Sequence, residues 1–420
     1  MFVYFQRKIL IILLLGFASG LPLSLSASTL LTMLKDYDLD ISLIGIFAAV
    51  SIPYSLKFLW SPFIDNLNIP ILSSTLGRRR SWLFLTQVLL LLAIVTLGTI
   101  DPITNLYLVA IVALAIAFLS ATQDIVIDAL RIEMLSETEQ GAGAAAIVFG
   151  YRVAMLVSSA GALTLAHFYD WTFSYFVMGL LMLPGIVTNL CLVAEPVAKI
   201  DKPKTEFLAW FKKAFLEPFT EFLSRENSII ILIFIILYKL GDAYLGTMTN
   251  PFLMEIGFDK LEIAKIVKFY GFWATIAGVF AGGWLVARLG IKNSLFVGCI
   301  LQTLSNLTFI IQAEAGHDQL VLIGVISFEN FTGGLGTPVI VAYLSRLCNL
   351  NFTATQYALL SSIAVTARST LSAPCGYLAK YLGWTDFFIF TAIISIPALL
   401  LVNFCFRENK SAPKIKVLNK

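Results

Sequence analysis

The fold is decided by residues 103–134, ITNLYLVAIVALAIAFLSATQDIVIDALRIEM. This stretch is almost entirely apolar as far as Ala121, and as a helix it is long enough to cross the ~30 Å hydrocarbon core of a bilayer. In that core a segment must be helical, because no water is present to satisfy its backbone N–H and C=O groups. Asp124, Asp128 and Arg131 follow at helical spacing. The stretch therefore predicts a membrane-spanning helix with charged residues on one face.

Apolar runs of similar length recur along the whole chain. Of the 420 residues, 58% are hydrophobic and 13% are charged, whereas a soluble domain carries about 25% charged residues. A soluble protein of this composition would expose large apolar patches. The sequence therefore predicts an all-α polytopic membrane protein of about twelve transmembrane helices. The predicted spans are residues 9–34, 41–66, 81–99, 103–134, 141–166, 171–194, 228–256, 261–288, 292–313, 318–347, 353–381 and 384–406.

One connection is longer than the others and divides the spans six plus six. The predicted organisation is an N-terminal half at 1–194, a linker at 195–227, and a C-terminal half with a short basic tail at 228–420. In the linker, Phe207, Phe211 and Phe215 recur at every fourth position. That pattern favours an amphipathic helix in the cytoplasmic interface. A solvated linker without such a helix is the alternative.

The basic residues of the connections are distributed unevenly between the two sides of the membrane. Twenty lysines and arginines fall on the side that holds both termini and the linker, and four fall on the other. Because cytoplasmic loops carry the excess of Lys and Arg, both termini are expected in the cytoplasm. The formal net charge of +3 then reflects topology and does not indicate a nucleic-acid partner.

The two halves share a weak internal repeat after their second spans. YSLKFLWSPFID ends at Asp65 and is followed by LGRRRSW, which includes Arg78; GGWLVARLGIK in the second half has Ala287 where an acidic residue is expected. Such compact turns are expected in internally repeated transporters. We interpret Asp65 and Arg78, together with Arg131, as gate or structural residues. Positive-inside bias alone is the alternative explanation.

Charges within the spans are informative, because each costs roughly 2.5–3.5 kcal/mol at the bilayer centre. They must face a polar cavity or pair with one another. Lys239 and Asp242 are one turn apart, and simple mutual neutralisation is one interpretation of them. The nine charged residues well inside spans are Lys57, Asp124, Asp128, Arg152, Lys239, Asp242, Lys268, Glu329 and Arg368.

Glycine and proline residues predict interruptions in three spans. Glu329 lies just before TGGLGTP, residues 332–337 with Pro338, which we interpret as a break in the tenth span. Broken helices at membrane depth usually line a cavity. The first and seventh spans have similar candidates, and close helix packing by small residues is the rival explanation. Those candidates are Gly16, Gly20, Pro22, Gly246 and Pro251.

No enzyme is indicated. The sequence has no phosphate-binding glycine loop followed by Lys and Ser or Thr, and no Ser/His/Asp or zinc-ligand spacing. Its five cysteines do not form a metal or disulfide pattern. We therefore expect no catalytic residue, no metal site and no cofactor, and an ion or solute gradient as the source of energy.

Eight motifs, in order through both halves, closely resemble those of the AmpG family of the major facilitator superfamily. They are GFASGLPLSLS, KFLWSPFID, LGRRRSW, SATQDIVIDA, GYRVAMLVS, LYKLGDA, FENFTGGLGT and ATQYALLSS. The resemblance implies a major facilitator fold of two six-helix bundles in the bacterial inner membrane. It also implies proton-coupled import of anhydromuropeptides for cell-wall recycling. A carrier for another anionic solute, such as an acyl-CoA or a peptide, is the alternative, and a monomer in membrane lipid is expected.

Functional residues are predicted in two groups. A proton-driven carrier needs a buried carboxylate, and Asp124 is preferred, with Arg152 as its alternating partner; a static salt-bridge network is the alternative role for these charges. The proton-coupling candidates are Asp124, Glu329, Asp128 and Asp242. The substrate-binding candidates are Arg152, Arg368, Gln123, Lys239 and Lys268.

Overall fold

The computed structural model describes residues 2–196 and 212–406. Two of the three phenylalanines of the predicted amphipathic linker helix, Phe207 and Phe211, lie outside the described residues, as does the basic tail from Arg407. The described linker resumes as a helical segment at Lys212–Leu216 and Glu217–Leu223. Here the ring of Phe215 packs edge-on against Phe63, with 5.1 Å between their centroids.

The helical residues of each predicted span are labelled α1 to α12 in chain order, whether they form one helix or several shorter ones. Their bounds are α1 Arg7–Asp36, α2 residues 41–66, α3 Arg78–Thr99, α4 Leu106–Met134, α5 Gln140–Phe168, α6 Trp171–Cys191, α7 Ser228–Glu255, α8 residues 260–289, α9 residues 291–315, α10 Gln319–Leu347, α11 residues 353–382 and α12 Trp384–Cys405.

Several of these segments are not single regular helices. Among the described residues, nine helices are long and apolar enough to cross a membrane, with Lys260–Ala315 counted as one. Gly290 divides that helix into α8 and α9, because its backbone (φ 75°, ψ 166°) is not helical. α2 is a series of short α- and 3₁₀-helical pieces, and α11 is interrupted between Leu371 and Cys375.

The predicted break in the tenth span is wrong. α10 runs without interruption from Gln319 to Leu347, through all of the glycines and Pro338. α1 likewise continues through Pro22, and its backbone departs from helix only at Ala27 (φ −119°, ψ −103°). In α7 the departure is at Lys239 (φ −115°, ψ 9°), before both predicted positions. Glycine and proline are tolerated within these helices, because neighbouring helices supply the lost contacts.

Close packing, the rival explanation, accounts for the glycines of α1. A Cβ on Gly16 would lie 2.5 Å from the carbonyl oxygen of Ile147 in α5, and one on Gly20 would lie 2.5 Å from that of Tyr151. Gly334 of α10 is pressed in the same way against the backbone of Thr275 in α8. Small residues that let backbones approach are typical of helix contacts in membranes.

The chain forms two compact units. Unit 1 comprises Met1–Leu135, Ala146–Phe219 and Cys348–Ser362; unit 2 comprises Ser136–Ala145, Thr220–Leu347 and Ile363–Lys420. The units follow the two halves of the sequence, except that the starts of α5 and α11 each belong to the other half's unit. The domain bounds drawn at 194 and 228 stay a prediction.

Each unit has its own apolar core. In unit 1 all six helices α1 to α6 contribute to the core, with buried residues such as Leu25, Leu90 and Ile116. In unit 2 three phenylalanines from α7, α9 and α12 pack together; the ring centroids of Phe252 and Phe388 are 4.9 Å apart, and those of Phe309 and Phe388 are 5.3 Å apart. These cores fix the helices that carry the charged residues.

Candidate functional site

Asp124 is the centre of a charged cluster in unit 1. The hydroxyl of Ser19 on α1 donates a 2.5 Å hydrogen bond to Asp124 Oδ1. The ammonium of Lys57 on α2, a residue only 9% exposed, acts electrostatically on the same carboxylate. Lys57 begins a single 3₁₀ turn of the irregular α2, and Ser19 lies between the two closely packed glycines of α1. The backbone of three helices thus brings a hydroxyl, an ammonium and a carboxylate together.

Arg152, the partner expected for Asp124, has an exposed side chain on α5. The sequence placed Lys57 among the charges within spans but did not connect it with Asp124. Its position on α2 gave no periodic signal, because α2 is not a regular helix. The pairing of Asp124 with Arg152 stays a prediction.

Asp128 and Arg131 lie one turn further along α4. Arg131 is fully buried, and its Nη2 is 3.3 Å from Asp128 Oδ1. The guanidinium also lies 5.3 Å from the ring centroid of Tyr357, at the start of α11 and within unit 1. A guanidinium over an aromatic face is attracted by the ring quadrupole. This arrangement is what a static network would need, while the gate role of Arg131 and the proton role of Asp128 stay predictions.

Gln123 occupies a packing position. Its side chain is fully buried, and its Nε2 donates a 2.8 Å hydrogen bond to the carbonyl oxygen of Ala18 on α1. In this structure the amide therefore holds α4 against α1. Its predicted contact with substrate stays a prediction.

Unit 2 has a second charged cluster, formed by α7 and α10. Lys239 Nζ lies 3.0 Å from Asp242 Oδ2 and donates to the carbonyl oxygen of Gly333 at 3.1 Å. Glu329 is coupled electrostatically to both of these charged residues. The amide of Asn330 donates to Glu329 Oε2 at 2.6 Å. Three predicted candidates thus belong to one cluster, in which Lys239 is ion-paired with Asp242 and also acts electrostatically on Glu329.

A cavity of about 390 Å³ lies between α7 and α11 in unit 2. Arg368, predicted as a substrate-binding residue, lines it. The other polar side chains of its wall are the hydroxyls of Thr247, Ser369 and Ser372. Its volume is at the lower end of the ~300–1,000 Å³ range of small-molecule sites. A guanidinium beside several hydroxyls suits an anionic, hydrogen-bonding ligand.

Lys268, the remaining substrate-binding candidate, lies in an irregular part of α8. Residues Ala264–Tyr270 form a π-helical stretch there, and the side chain of Lys268 is exposed. π-helical turns are frequent at functional sites. The substrate role of Lys268 stays a prediction.

The junction of α2 and α3 contains a buried ionic network. Arg79 is 1% exposed, and its Nη2 lies 2.7 Å from Asp65 Oδ1 and 2.6 Å from Glu133 Oε1. Asp65 Oδ2 also accepts hydrogen bonds from the backbone N–H and the hydroxyl of Thr355, at 2.8 and 2.7 Å. A carboxylate at the first turn of α11 is favoured by the helix dipole. The network thus fixes the start of α11 within unit 1.

Sequence reasoning predicted Asp65 and Arg78 at this junction but missed Arg79 and Glu133. Arg78 donates to the backbone carbonyl of Asp65, while its neighbour forms the ion pairs. Three consecutive arginines give no signal that distinguishes the buried one. Glu195 was missed as well: its carboxylate accepts from the backbone N–H groups of Arg79 and Arg80, at 2.8 and 3.0 Å, at the first turn of α3.

With this geometry established, comparison with known proteins identifies the family. Residues 12–370 match the Major Facilitator Superfamily. The chain belongs to this superfamily. Major facilitator proteins of known structure share its fold: the human organic anion transporter TETRAN matches with a TM-score of 0.63 at 15% identity, covering 95% of this chain and 98% of that chain. The proton:xylose symporter XylE matches with a TM-score of 0.67 at 13% identity, covering 96% and 95%. The predicted fold class is confirmed.

Relatives within the superfamily are much more similar in sequence. The anhydromuropeptide permease of Escherichia coli strain K12 is 40% identical over 405 residues, which cover 96% of this chain and 80% of the permease. The putative transporter AmpG 4 of Rickettsia felis is 37% identical over 393 residues, covering 93% and 94%. These relatives confirm the predicted resemblance to the AmpG family. They also confirm that this major facilitator protein is a multi-pass membrane transporter of a small molecule and not an enzyme.

Proposed function

We propose that this protein imports anhydromuropeptides into the cytoplasm and couples their entry to protons. The observation that carries the proposal is the 40% identity with the anhydromuropeptide permease over 96% of this chain. The membrane is the bacterial inner membrane, and cell-wall recycling is the process that import would serve. The protein works as a monomer in lipid, with both termini in the cytoplasm, as the basic residues of its connections indicate.

Two arginines supply the positive charge for an anionic substrate. Arg368 lines the unit 2 cavity beside three hydroxyl groups, and Arg152 is exposed on α5 of unit 1. A guanidinium holds a carboxylate through two parallel hydrogen bonds, whereas an ammonium acts as a point charge. Arginine is therefore suited to recognising the carboxylates of a peptide.

Asp124 is the proton carrier in this proposal. Once deprotonated, its carboxylate is stabilised by the ammonium of Lys57 and the hydroxyl of Ser19. Once protonated, it no longer attracts Lys57, and the contacts between α2 and α4 are weakened. A group whose protonation differs between two conformations lets a proton gradient bias the equilibrium between them. Glu329 is the corresponding candidate in unit 2.

The proposal is tested by complementation of a bacterial strain that cannot take up anhydromuropeptides. Expression of this protein should reduce the amount of muropeptide released into the medium, and an uncoupler should abolish that effect. Proteoliposomes with an imposed pH difference should accumulate labelled muropeptide. Accumulation of an acyl-CoA or a free peptide instead, with no muropeptide uptake, would overturn the substrate and favour another anionic solute.

A further inference from the structure

The wall of the unit 2 cavity contains a glycine, Gly246, that helix packing does not require. Gly246 of α7 is exposed beside the cavity, and a Cβ added to it would meet no atom within 4 Å. Gly241, five residues earlier on the same helix, differs: its Cβ would collide with Ser395 and Thr391 of α12. Gly241 is therefore required by packing, and Gly246 is not.

A glycine within a helix weakens that helix relative to alanine. At Gly246 no neighbouring atom occupies the space of the missing side chain. No closer packing contact therefore offsets the lower stability of the helix. What the missing side chain provides is space beside Arg368, whose guanidinium is on the α11 side of the same cavity. The space and the positive charge thus occur together.

The walls of the cavity determine which ligand it suits. The hydroxyl of Thr247 donates to the carbonyl oxygen of Ala243 at 2.7 Å, so its free lone pairs are left to accept from N–H groups. Ser369 and Ser372 add two more hydroxyls near Arg368. N–H donors together with a carboxylate are the groups of a short peptide. At about 390 Å³ the cavity is small for a sugar–peptide conjugate, so it accommodates only a part of one.

We infer that the α7–α11 cavity is a subsite for the peptide part of the substrate, with Arg368 holding its carboxylate and Gly246 determining the space available. This inference rests on the proposed transport of a carboxylate-bearing peptide conjugate. Gly246 follows Asp242 by one helical turn, so a peptide in the subsite lies on the same face of α7 as the cluster of Lys239, Asp242 and Glu329. Gly246 is thus a specificity-determining residue.

The test measures binding to the purified full-length protein in nanodiscs. The probes are an anhydromuropeptide, the same anhydrodisaccharide without its peptide, and an acyl-CoA. Gly246→Leu fills the subsite and should weaken binding of the anhydromuropeptide about tenfold or more, while binding of the peptide-free disaccharide changes little. Arg368→Gln should likewise weaken binding of the anhydromuropeptide and leave binding of the peptide-free disaccharide little changed. Gly246→Ala, a smaller change, should have an intermediate effect and serves if the leucine variant does not fold.

Gly324→Leu is the matched control. Gly324 is also an exposed glycine of a long helix with open space around its Cβ, but it is in α10 and does not line the cavity. This variant should bind all probes as the wild type does. Wild-type affinity of both Gly246 variants for the anhydromuropeptide would overturn the subsite and leave the proposed function intact.

Failure of the proposed function is distinguishable in the same experiment. If the wild type binds only the acyl-CoA, muropeptide transport is wrong. The subsite then stands as an anion site if Gly246→Leu and Arg368→Gln both weaken acyl-CoA binding, and it falls if neither does. If the wild type binds none of the three probes, both proposals are overturned.

Discussion

The charged clusters of the two units differ in their balance of charge. In unit 1, one lysine, Lys57, acts on the carboxylate of Asp124. In unit 2, Lys239 is already in a 3.0 Å ion pair with Asp242, and Glu329 is an additional carboxylate nearby. Protonation of Asp124 therefore removes the negative charge that attracts Lys57. Protonation of Glu329, in contrast, leaves the ion pair between Lys239 and Asp242 in place.

This difference indicates which cluster is suited to coupling. A proton can drive a conformational change only where its binding alters the contacts between helices. In unit 1 the altered contact joins α2 to α4. In unit 2 the ion pair lies within α7, between residues one turn apart, and Lys239 contacts α10 through a hydrogen bond to the carbonyl oxygen of Gly333, a group that does not titrate. We therefore expect unit 1 to carry the coupling proton and unit 2 to contribute mainly to substrate binding.

The largest effect is expected from Asp124→Asn. The amide retains the shape of the side chain and accepts from Ser19, but it does not titrate. In proteoliposomes this variant should lose uphill accumulation completely and retain downhill exchange within about tenfold of the wild type. Accumulation is measured with labelled muropeptide under an imposed pH difference.

Glu137→Gln is the control for that experiment, because Glu137 is an exposed carboxylate whose 3.7 Å contact with Arg346 is at the surface. It should accumulate substrate as the wild type does. Accumulation by Asp124→Asn in response to the pH difference would show that Asp124 does not carry the proton.

A second effect, on stability, sharpens the comparison. Lys57→Met removes the ammonium and leaves the Asp124 carboxylate partly buried without it, which should cost about 3 kcal/mol of unfolding free energy. Lys57→Met combined with Asp124→Asn should recover much of that loss, because no unbalanced charge remains. Thermal unfolding of the purified single and double variants measures this. Strictly additive effects would mean that the two side chains do not interact.

Glu329→Gln is expected to have a smaller effect. Lys239 keeps Asp242 as its partner, and the glutamine can still accept from Asn330. Uptake should fall about two- to tenfold, with uphill accumulation preserved. The roles of the units would be reversed if Glu329→Gln abolished accumulation while Asp124→Asn preserved it. The same proteoliposome assay decides between these results.

The sequence predicted the helices well because the signal for a span is local. An apolar run such as that of α4 specifies a helix without reference to the rest of the chain. Interruptions were predicted poorly for the same reason. The glycines of α10 are consistent either with a break or with close packing, and only the neighbouring backbone of Thr275 decides the matter.

The candidate site was predicted in part. In-span charges identified Asp124, Glu329 and Arg368, because an ionisable residue within a bilayer needs a polar environment. Their partners were harder to predict: Lys57 comes from an irregular helix, and Arg79 is one of three consecutive arginines. Which side chain turns inward depends on tertiary packing, and a single sequence does not contain that information.

The smallest effect is expected from replacing a substrate-binding arginine by lysine. Arg368→Lys retains the positive charge in the unit 2 cavity but loses the planar pair of donors that grips a carboxylate. KM for muropeptide should rise about twofold, with expression and the maximal rate little changed, since uniform binding is what the substitution weakens. Arg152→Lys should act in the same direction, and a weaker effect there would fit a position outside the cavity. Arg288→Lys, the same exchange at an exposed arginine that is not a binding candidate, tests whether the exchange itself alters transport. Transport kinetics with an unchanged KM in both arginine variants would remove Arg152 and Arg368 from the binding site.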